Sequence, residues 1–223
     1  MQNRTKYITT LAMLAAVAYI TVLFIRIPIM PTASFLDYDP KDVIIVIGGF
    51  MFGPLAALAL SVVVAFIQMV TIGTTGHIGM LMNALASISF TCTAAYIYRR
   101  WHNLTGAVVG LAVGCVMVTA VMILWNYIVT PGYMGVPRPI VVSMLVPVFL
   151  PFNLIKSGLN AAIAMLLYKH VSVALKAVGL YNPTVYNPVE TMGSRKLNIG
   201  VMLVSAFVIL TFVMIILALQ GIV

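Results

Sequence analysis

One ten-residue stretch of the chain, PFNLIKSGLN at 151–160, places a charged side chain and two amides inside a long apolar run. Asn153, Lys156 and Asn160 follow one another at spacings of three and four residues. On a helix that advances about 100° per residue, these positions fall within roughly 60° of one another. The spacing therefore predicts a helix with one narrow polar face, made of groups that donate and accept hydrogen bonds.

Lys156 is the only lysine or arginine that falls within a predicted membrane span. An ammonium group in hydrocarbon is costly, and ionisable residues in membrane spans usually serve a function, so we predict that Lys156 faces a polar cavity. The alternative is that its long stem extends to the lipid headgroups. For the asparagines the alternative role is a hydrogen bond between helices, and we predict that role for Asn160.

A further candidate polar group, Asn126, lies in the segment WNY near the end of another apolar run. The predicted topology brings Asn126 to a similar depth as Asn153 and Lys156, close to a loop with three of the four acidic residues. These three are Asp37, Asp39 and Asp42. A cation site is one interpretation of this loop, but we predict a solvated loop whose carboxylates cap local structure.

The composition indicates an integral membrane protein made of helices. Only 7% of the 223 residues are charged and 63% are hydrophobic, whereas average proteins carry about 25% charged residues. The apolar runs are continuous and about twenty residues long, which suits spanning helices rather than the alternating strands of a membrane barrel. The twelve basic residues are scattered over loops, a distribution that does not favour nucleic-acid binding.

The sequence lacks the usual patterns for catalysis or ATP binding. No glycine–lysine pair occurs in the chain, so it has no Walker A motif. We find no carboxylate pair or Ser–His–Asp set within the spans, and no His or Cys residues at metal-ligand spacing. Cys92 and Cys115 both lie in apolar runs, where we predict that they serve as small packing residues.

Seven apolar runs predict membrane spans, of which the second is short for a bilayer crossing. They cover residues 7–25, 42–52, 54–72, 78–98, 105–128, 147–168 and 199–221. Alternate loops hold eight of the twelve basic residues, and the loops on the opposite side hold three. Because lysine and arginine mark cytoplasmic loops, we predict a cytoplasmic N-terminus and an external acidic loop.

Three regions follow from this pattern. We predict a membrane core at 1–170, a cytoplasmic linker at 171–198 and an additional C-terminal transmembrane helix at 199–223. The linker is polar and rich in Pro, Asn and Tyr, whereas the last span carries no charge at all. We therefore predict that the last span is a featureless anchor.

Small residues recur at helical spacing on two of the spans. Ala12 and Ala16 form such a pair on the first span, which favours close approach of another membrane helix. Docking onto a second membrane subunit is one role for this pair, and internal packing is the other. Gly106, Gly110 and Gly114 repeat the spacing on the fifth span, where we predict internal packing.

Five sequence stretches, in this order on these spans, resemble one known family. The stretches are SFLDYDPKDV at 34–43, GGFMFGP at 48–54, GHIGMLMN at 76–83, WNYIVTP at 125–131 and PFNLIK at 151–156. The family is the riboflavin-specific substrate-binding (S) component of energy-coupling-factor (ECF) vitamin transporters, and the resemblance covers about residues 7–170. It implies an all-α core of six membrane helices with an outward-facing vitamin pocket, to which this chain adds one C-terminal transmembrane helix.

The resemblance also implies a function and a set of partners. The chain would capture riboflavin outside the bacterial plasma membrane and deliver it for uptake, together with a transmembrane coupling subunit and two cytoplasmic ATPase subunits. Riboflavin would be the transported ligand, no other cofactor or metal is implied, and the chain itself would not be an enzyme. The lack of an ATP-binding motif agrees with this division of labour.

Matched residue by residue, the family's ligand-binding positions fall on seven residues of this chain. They are Leu36, Tyr38, Gly79, Met80, Asn126, Asn153 and Lys156. Apolar and aromatic walls for the vitamin ring are available from Tyr38, Met80, Met82 and Trp125. The alanine face of the first span, at Ala12 and Ala16, would dock on the coupling subunit.

Other functions stay open on the sequence alone. The same architecture would serve another vitamin or a flavin analogue, although FMN would call for more cationic groups than the external loops hold. A small intramembrane enzyme or an autonomous small-solute carrier is the other alternative. An enzyme would be expected to carry acid–base pairs in its spans, and such a carrier often shows two related halves, which we do not find here.

Overall fold

The computed structural model describes residues 2–30, 33, 36–73, 75–177 and 199–221. They form the helices α1 Gln2–Phe24, α2 Lys41–Phe52, α3 Pro54–Thr71, α4 Gly76–Arg100, α5 Leu104–Met134, α6 Arg138–Met144, α7 Leu150–Ala177 and α8 Ile199–Leu219. A π-helical turn, Leu145–Phe149, joins α6 to α7. After α1, the short strands β1 Ile27–Pro28 and β2 Asp37–Tyr38 pair antiparallel, and we call them and the residues between them the hairpin.

Six helical segments among the described residues are long and apolar enough to cross a membrane. They are α1, α3, α4, α5, the joined α6–α7 segment and α8. The predicted second span corresponds to α2, whose twelve residues are too few for a crossing that needs about twenty. Neighbouring elements bury ten of those twelve residues, so α2 lies inside the bundle. With α2 counted, the predicted six-helix core and additional C-terminal helix are confirmed.

The close contact between α4 and α5 depends on glycines of α5. A Cβ at Gly110 would lie 2.7 Å from the carbonyl oxygen of Ala94, and a Cβ at Gly114 would lie 2.8 Å from that of Phe90. The two backbones therefore approach to a distance that a larger side chain would prevent. The predicted internal packing role of these glycines is confirmed.

Two apolar clusters hold the bundle together. The larger one joins residues of α1, α2, α3, α4, α5 and α7, and it includes Val46 and Phe50 of α2. The second cluster lies where the hairpin meets α7, and it includes Leu36, Tyr38 and Phe152. Because the hairpin contributes fully buried apolar side chains to this cluster, it is part of the packed structure.

The C-terminal helix α8 packs on this second cluster, a contact that the prediction of a featureless anchor did not include. Ile209, Phe212 and Ile216 of α8 are spaced three and four residues apart and contact the cluster as one stripe. An uncharged apolar helix carries no polar pattern that distinguishes its packing face from its lipid face. The sequence of α8 therefore gave no indication of this contact.

The predicted boundary between core and linker falls inside a helix. α7 continues through the predicted end of the core at residue 170 as far as Ala177. The remainder of the predicted linker, 178–198, lies outside the described residues. Residues 171–177, VSVALKA, contain no glycine or proline that would end the helix earlier.

Candidate ligand-binding site

A buried carboxylate in the loop after the hairpin joins two lysines from different helices. Lys41, at the start of α2, donates to Asp39 Oδ1 over 2.7 Å, and Lys156 of α7 donates to Asp39 Oδ2 over 2.8 Å. Lys156 also donates to the backbone carbonyl of Asp37 over 3.1 Å. The Lys156 ammonium group therefore faces the hairpin and the bundle interior, and the alternative in which its stem extends to the headgroups is wrong.

The carboxylate of Asp39 and the ammonium groups of Lys41 and Lys156 form an ion cluster, in which the charges stabilise one another. Burial alone would raise the pKa of Asp39, but attraction to Lys156 and Lys41 outweighs burial and holds that pKa well below its usual range. Burial likewise opposes the charge of Lys41, yet Asp39 and Asp42 raise the pKa of Lys41 above its usual value. Asp39 and Lys41 are therefore both charged across the neutral pH range.

The acidic loop is mostly buried, so the prediction of a solvated loop is wrong. Only 4% of Asp39 and 5% of Asp42 are exposed. Asp42 accepts a hydrogen bond from Ser87 of α4, and Asp37 forms an ion pair with Arg26 at the protein surface. The partners of Asp39 and Asp42 include residues of distant helices, which local sequence does not reveal.

Next to this cluster lies a cavity between α4, α5 and α7, which we call the central cavity. Its empty volume is about 570 Å³, part of which is open to the surroundings. Its lining residues are Leu36, Asp37, Asp42, Met82, Asn83, Ala86, Phe90, Val118, Met122, Asn126, Phe152, Asn153, Lys156 and Ser157. The structure thus brings Asn126, Asn153 and Lys156 together around one space, as their predicted depth required.

Both asparagines of the central cavity are held by their own helices. Asn126 donates one amide N–H to the carbonyl of Met122, and its Oδ1 accepts from Thr130. Asn153 donates one amide N–H to the carbonyl of Phe149. An amide has two N–H donors and an acceptor oxygen, so each side chain is oriented and still has hydrogen-bonding capacity for a ligand.

A second cavity, which we call the hairpin cavity, adjoins the first and shares Asp37, Met82 and Asn83 with it. Its empty volume is about 640 Å³, part of it open, and its lining includes Gly79, one of the predicted site residues. Among the described residues, two of its buried polar atoms have no hydrogen-bond partner. They are Oε1 of Gln68 and Nε1 of Trp125. These atoms are an unused acceptor and an unused donor on two residues that line the cavity.

Two other predicted site residues do not line either cavity in the described part of the chain. Tyr38 is buried in the second apolar cluster, and its hydroxyl donates to Asn160 Oδ1 over 3.1 Å. Burial, with the nearby charges of Asp39 and Asp42, raises the pKa of Tyr38. Met80 is half-buried on α4, while Met82 lines both cavities. The Tyr38–Asn160 hydrogen bond joins the hairpin to α7, whereas the bond predicted for Asn160 was between two helices.

Several polar residues that line the cavities were not among the predicted site residues, including Gln68, Asn83 and Ser157. Asn83 was detectable in principle, because Gly79, Asn83 and Ala86 recur at spacings of four and three on α4 and so share one helix face. Ser157 follows Lys156 directly, but its hydroxyl donates to the carbonyl of Asn153. Gln68 stands alone in an apolar run, and its neighbours come from distant segments.

The exposed face of α1 carries the two alanines of the predicted docking pair. Ala12 and Ala16 are exposed, whereas Ala15 and Ala18 are buried in the large apolar cluster. One side of α1 is therefore used for internal packing, and the side with Ala12 and Ala16 is free within the described residues. The role of that side in docking remains a prediction.

The fold defines a multi-pass membrane protein with two adjoining cavities between its helices and the hairpin. Residues 6–168 match the family described as the substrate-specific component of ECF transporters. The match covers well over half of the chain, and the chain belongs to this family, which is a family of transporter components.

Named relatives and a solved structure agree with this assignment. The chain is 28% identical over 187 residues to the riboflavin transporter RibU of Staphylococcus aureus (strain TCH60), covering 79% of this chain and 95% of that protein. It is 24% identical over 174 residues to the riboflavin transporter FmnP of Bacillus subtilis (strain 168), covering 74% and 91%. A solved S component of a bacterial ECF transporter superposes with a TM-score of 0.66 at 28% identity, covering 78% of this chain and 99% of that one.

Proposed function

We propose that this chain captures riboflavin outside the cell and delivers it for uptake driven by an ATP-hydrolysing ECF module. The observation that carries the proposal is the central cavity, in which Asn126, Asn153 and Lys156 surround one largely apolar space. The similarity to two proteins named as riboflavin transporters supports the choice of ligand. Riboflavin is the transported molecule in this account, and the chain performs no chemistry on it.

The polar groups of the central cavity suit the polar edge of the isoalloxazine ring. That edge presents carbonyl acceptors and one imide N–H, and an asparagine amide offers both a donor and an acceptor. Two of the three N–H groups of Lys156 are accounted for by Asp37 and Asp39, so the third is available to a flavin oxygen. Phe90, Met122 and the other apolar lining residues supply walls for the ring system.

The hairpin cavity suits the ribityl chain of the same ligand. Ribityl hydroxyls both donate and accept hydrogen bonds, which matches the unused acceptor of Gln68 and the unused donor of Trp125. Asn83 borders both cavities and lies where the ring and the chain would join. Burying the hydroxyls against paired polar groups avoids the cost of unsatisfied hydrogen bonds.

The proposed orientation places the hairpin outside the bacterial plasma membrane and the N-terminus in the cytoplasm. Lysine and arginine concentrate at the opposite end of the bundle, where Arg4, Lys6, Arg99 and Arg100 lie near helix ends, as expected for cytoplasmic segments. The cavities then open toward the external vitamin. A transmembrane coupling subunit would contact the Ala12 and Ala16 face of α1, and two cytoplasmic ATPase subunits would hydrolyse ATP.

Fluorescence quenching with a competition series tests the identity of the ligand. Purified protein is expected to quench riboflavin fluorescence, and unlabelled riboflavin is expected to displace a bound flavin more effectively than FMN, because the hairpin end offers few cations for a phosphate. Displacement by an unrelated vitamin at lower concentration would replace riboflavin in the proposal. Uptake into liposomes by this chain alone would contradict the dependence on ATPase partners.

Larger side chains at Ala12 and Ala16 are expected to reduce uptake without reducing binding. The double variant A12L/A16L thickens the exposed face of α1 and so prevents close approach of a partner helix. The matched control is A112L/A120L on the exposed face of α5. Cellular riboflavin uptake should fall in the first variant only, while both bind riboflavin as the wild type does. If both variants reduced riboflavin uptake to the same extent, or neither reduced it, docking at this face would be ruled out.

A further inference from the structure

The C-terminal helix α8 lies outside the family match, which ends at residue 168, yet it contacts two elements that border the central cavity. One of these elements is α7, which carries Asn153 and Lys156. The other is the hairpin, which contributes Leu36 and Asp37 to the cavity lining. A helix that served only as a membrane anchor would not need either contact.

The contact with α7 is close because a glycine faces an aromatic ring. The ring of Phe212 lies so near Gly158 that a Cβ on Gly158 would be 2.5 Å from its Cζ atom. Gly158 follows Lys156 by two residues, so Phe212 contacts α7 within one helical turn of Lys156 and on nearly the opposite face. The position of α7 relative to the hairpin therefore depends on where α8 sits.

The contact with the hairpin runs through a hydrogen bond at the end of α8. Gln220 Nε2 donates to the carbonyl of Pro28 over 2.8 Å. Pro28 is opposite Asp37 in the two-stranded sheet, and the carbonyl of Asp37 accepts from Lys156. Gln220 thus contacts strand β1, and β1 pairs with β2. The backbone of β2 in turn accepts a hydrogen bond from Lys156, which lines the central cavity.

We propose that α8 is a brace that holds the hairpin and α7 together around the central cavity and so slows release of the ligand. Phe212 and Gln220 are positioning residues in this role, since neither lines the described cavities. The proposal rests on the proposed riboflavin function for its ligand. Its structural part, the support of the hairpin by α8, applies to the ligand-free protein as well.

Release of radiolabelled riboflavin into an excess of unlabelled riboflavin measures the brace. F212A and Q220L are each expected to release the vitamin about two to ten times faster than the wild type, as expected from the loss of one modest interaction. The association rate should change less, because the cavity lining is intact. The matched control is F207A, which removes the same side chain from the exposed face of α8, where Phe207 is 70% exposed.

Hydrogen exchange at the hairpin amides of the ligand-free variants provides a second readout. Faster exchange of the hairpin amides in F212A and Q220L than in F207A supports the brace. This holds even if the wild type does not bind riboflavin, because absence of binding would overturn only the proposed function. Equal exchange and equal release rates in all three variants would overturn the brace. If F212A fails to fold, Q220L at the end of the helix decides the question in the same two assays.

Discussion

Replacing Asp39 by asparagine is expected to destabilise the protein by about 3–5 kcal/mol, the usual cost of removing one member of a buried ion pair. The substitution keeps the shape of the side chain but leaves Lys41 and Lys156 without the carboxylate that both of them contact. Lys41 is 1% exposed, so water cannot replace the lost charge. A denaturation series of the purified protein in detergent measures the loss.

The control for this prediction is D37N. Asp37 pairs with Arg26, whose side chain is 37% exposed, and ion pairs at the surface contribute about 0–1 kcal/mol. The backbone carbonyl that accepts from Lys156 is kept in this variant. If D39N and D37N lower stability by the same small amount, the buried ion pairs of Asp39 do not hold the hairpin in place.

The pH dependence of stability follows from the same cluster. Asp39 has a lowered pKa, so its contribution is complete above the ordinary carboxyl pKa of about 4 and is lost as the pH falls through the lowered value. Lys41 has a raised pKa, so its contribution is complete below about pH 10 and is lost as the pH rises through the raised value. Stability from the cluster should therefore be constant between about pH 5 and 9, and D39N should lack the decline in acid.

Replacing Lys156 by methionine is expected to weaken riboflavin binding roughly ten- to a hundredfold, the effect of losing one hydrogen bond to a charged group. The methionine side chain keeps most of the volume and loses the ammonium group that lines the central cavity. A fluorescence titration of riboflavin with the purified variant measures the change in Kd. The change reports both direct contact with the ligand and the support that Lys156 gives to the hairpin.

The matched variant K41M separates these two contributions. Lys41 contacts the same carboxylate as Lys156 but is not among the described residues that line the cavities. We therefore expect K41M to lower stability and to affect the riboflavin Kd much less than K156M does. In a double-mutant cycle with D39N, K156M should still weaken binding. Equal Kd values for K41M and K156M would mean that Lys156 acts only through Asp39.

Much of the fold was predictable because the apolar runs are long and their order is distinctive. The polar face of α7 was predictable because Asn153 and Lys156 are close in sequence and helical spacing alone brings them together. The depth of Asn126 in the membrane was predictable because few residues separate it from the end of its predicted span. Each of these predictions depends on local spacing, which a single sequence displays directly.

The rest of the site depends on contacts between distant segments. Asp39 and Lys156 are 117 residues apart, and nothing near either residue identifies its partner. On α4, Met80 and Met82 point about 200° apart, so only one of these two predicted wall residues can face the cavities, and it is Met82. The packing of α8 was hidden because an apolar helix looks the same on its protein and lipid sides.

Titration of riboflavin into purified, ligand-free wild-type protein tests the central claim most directly. We predict that quenching of flavin fluorescence saturates at one riboflavin per chain. In the same titration, A86W, which fills the central cavity, should abolish quenching, while A112W on the exposed face of α5 should retain it. Absence of quenching by a folded, monodisperse wild-type sample, or full quenching by a folded A86W, would contradict the account.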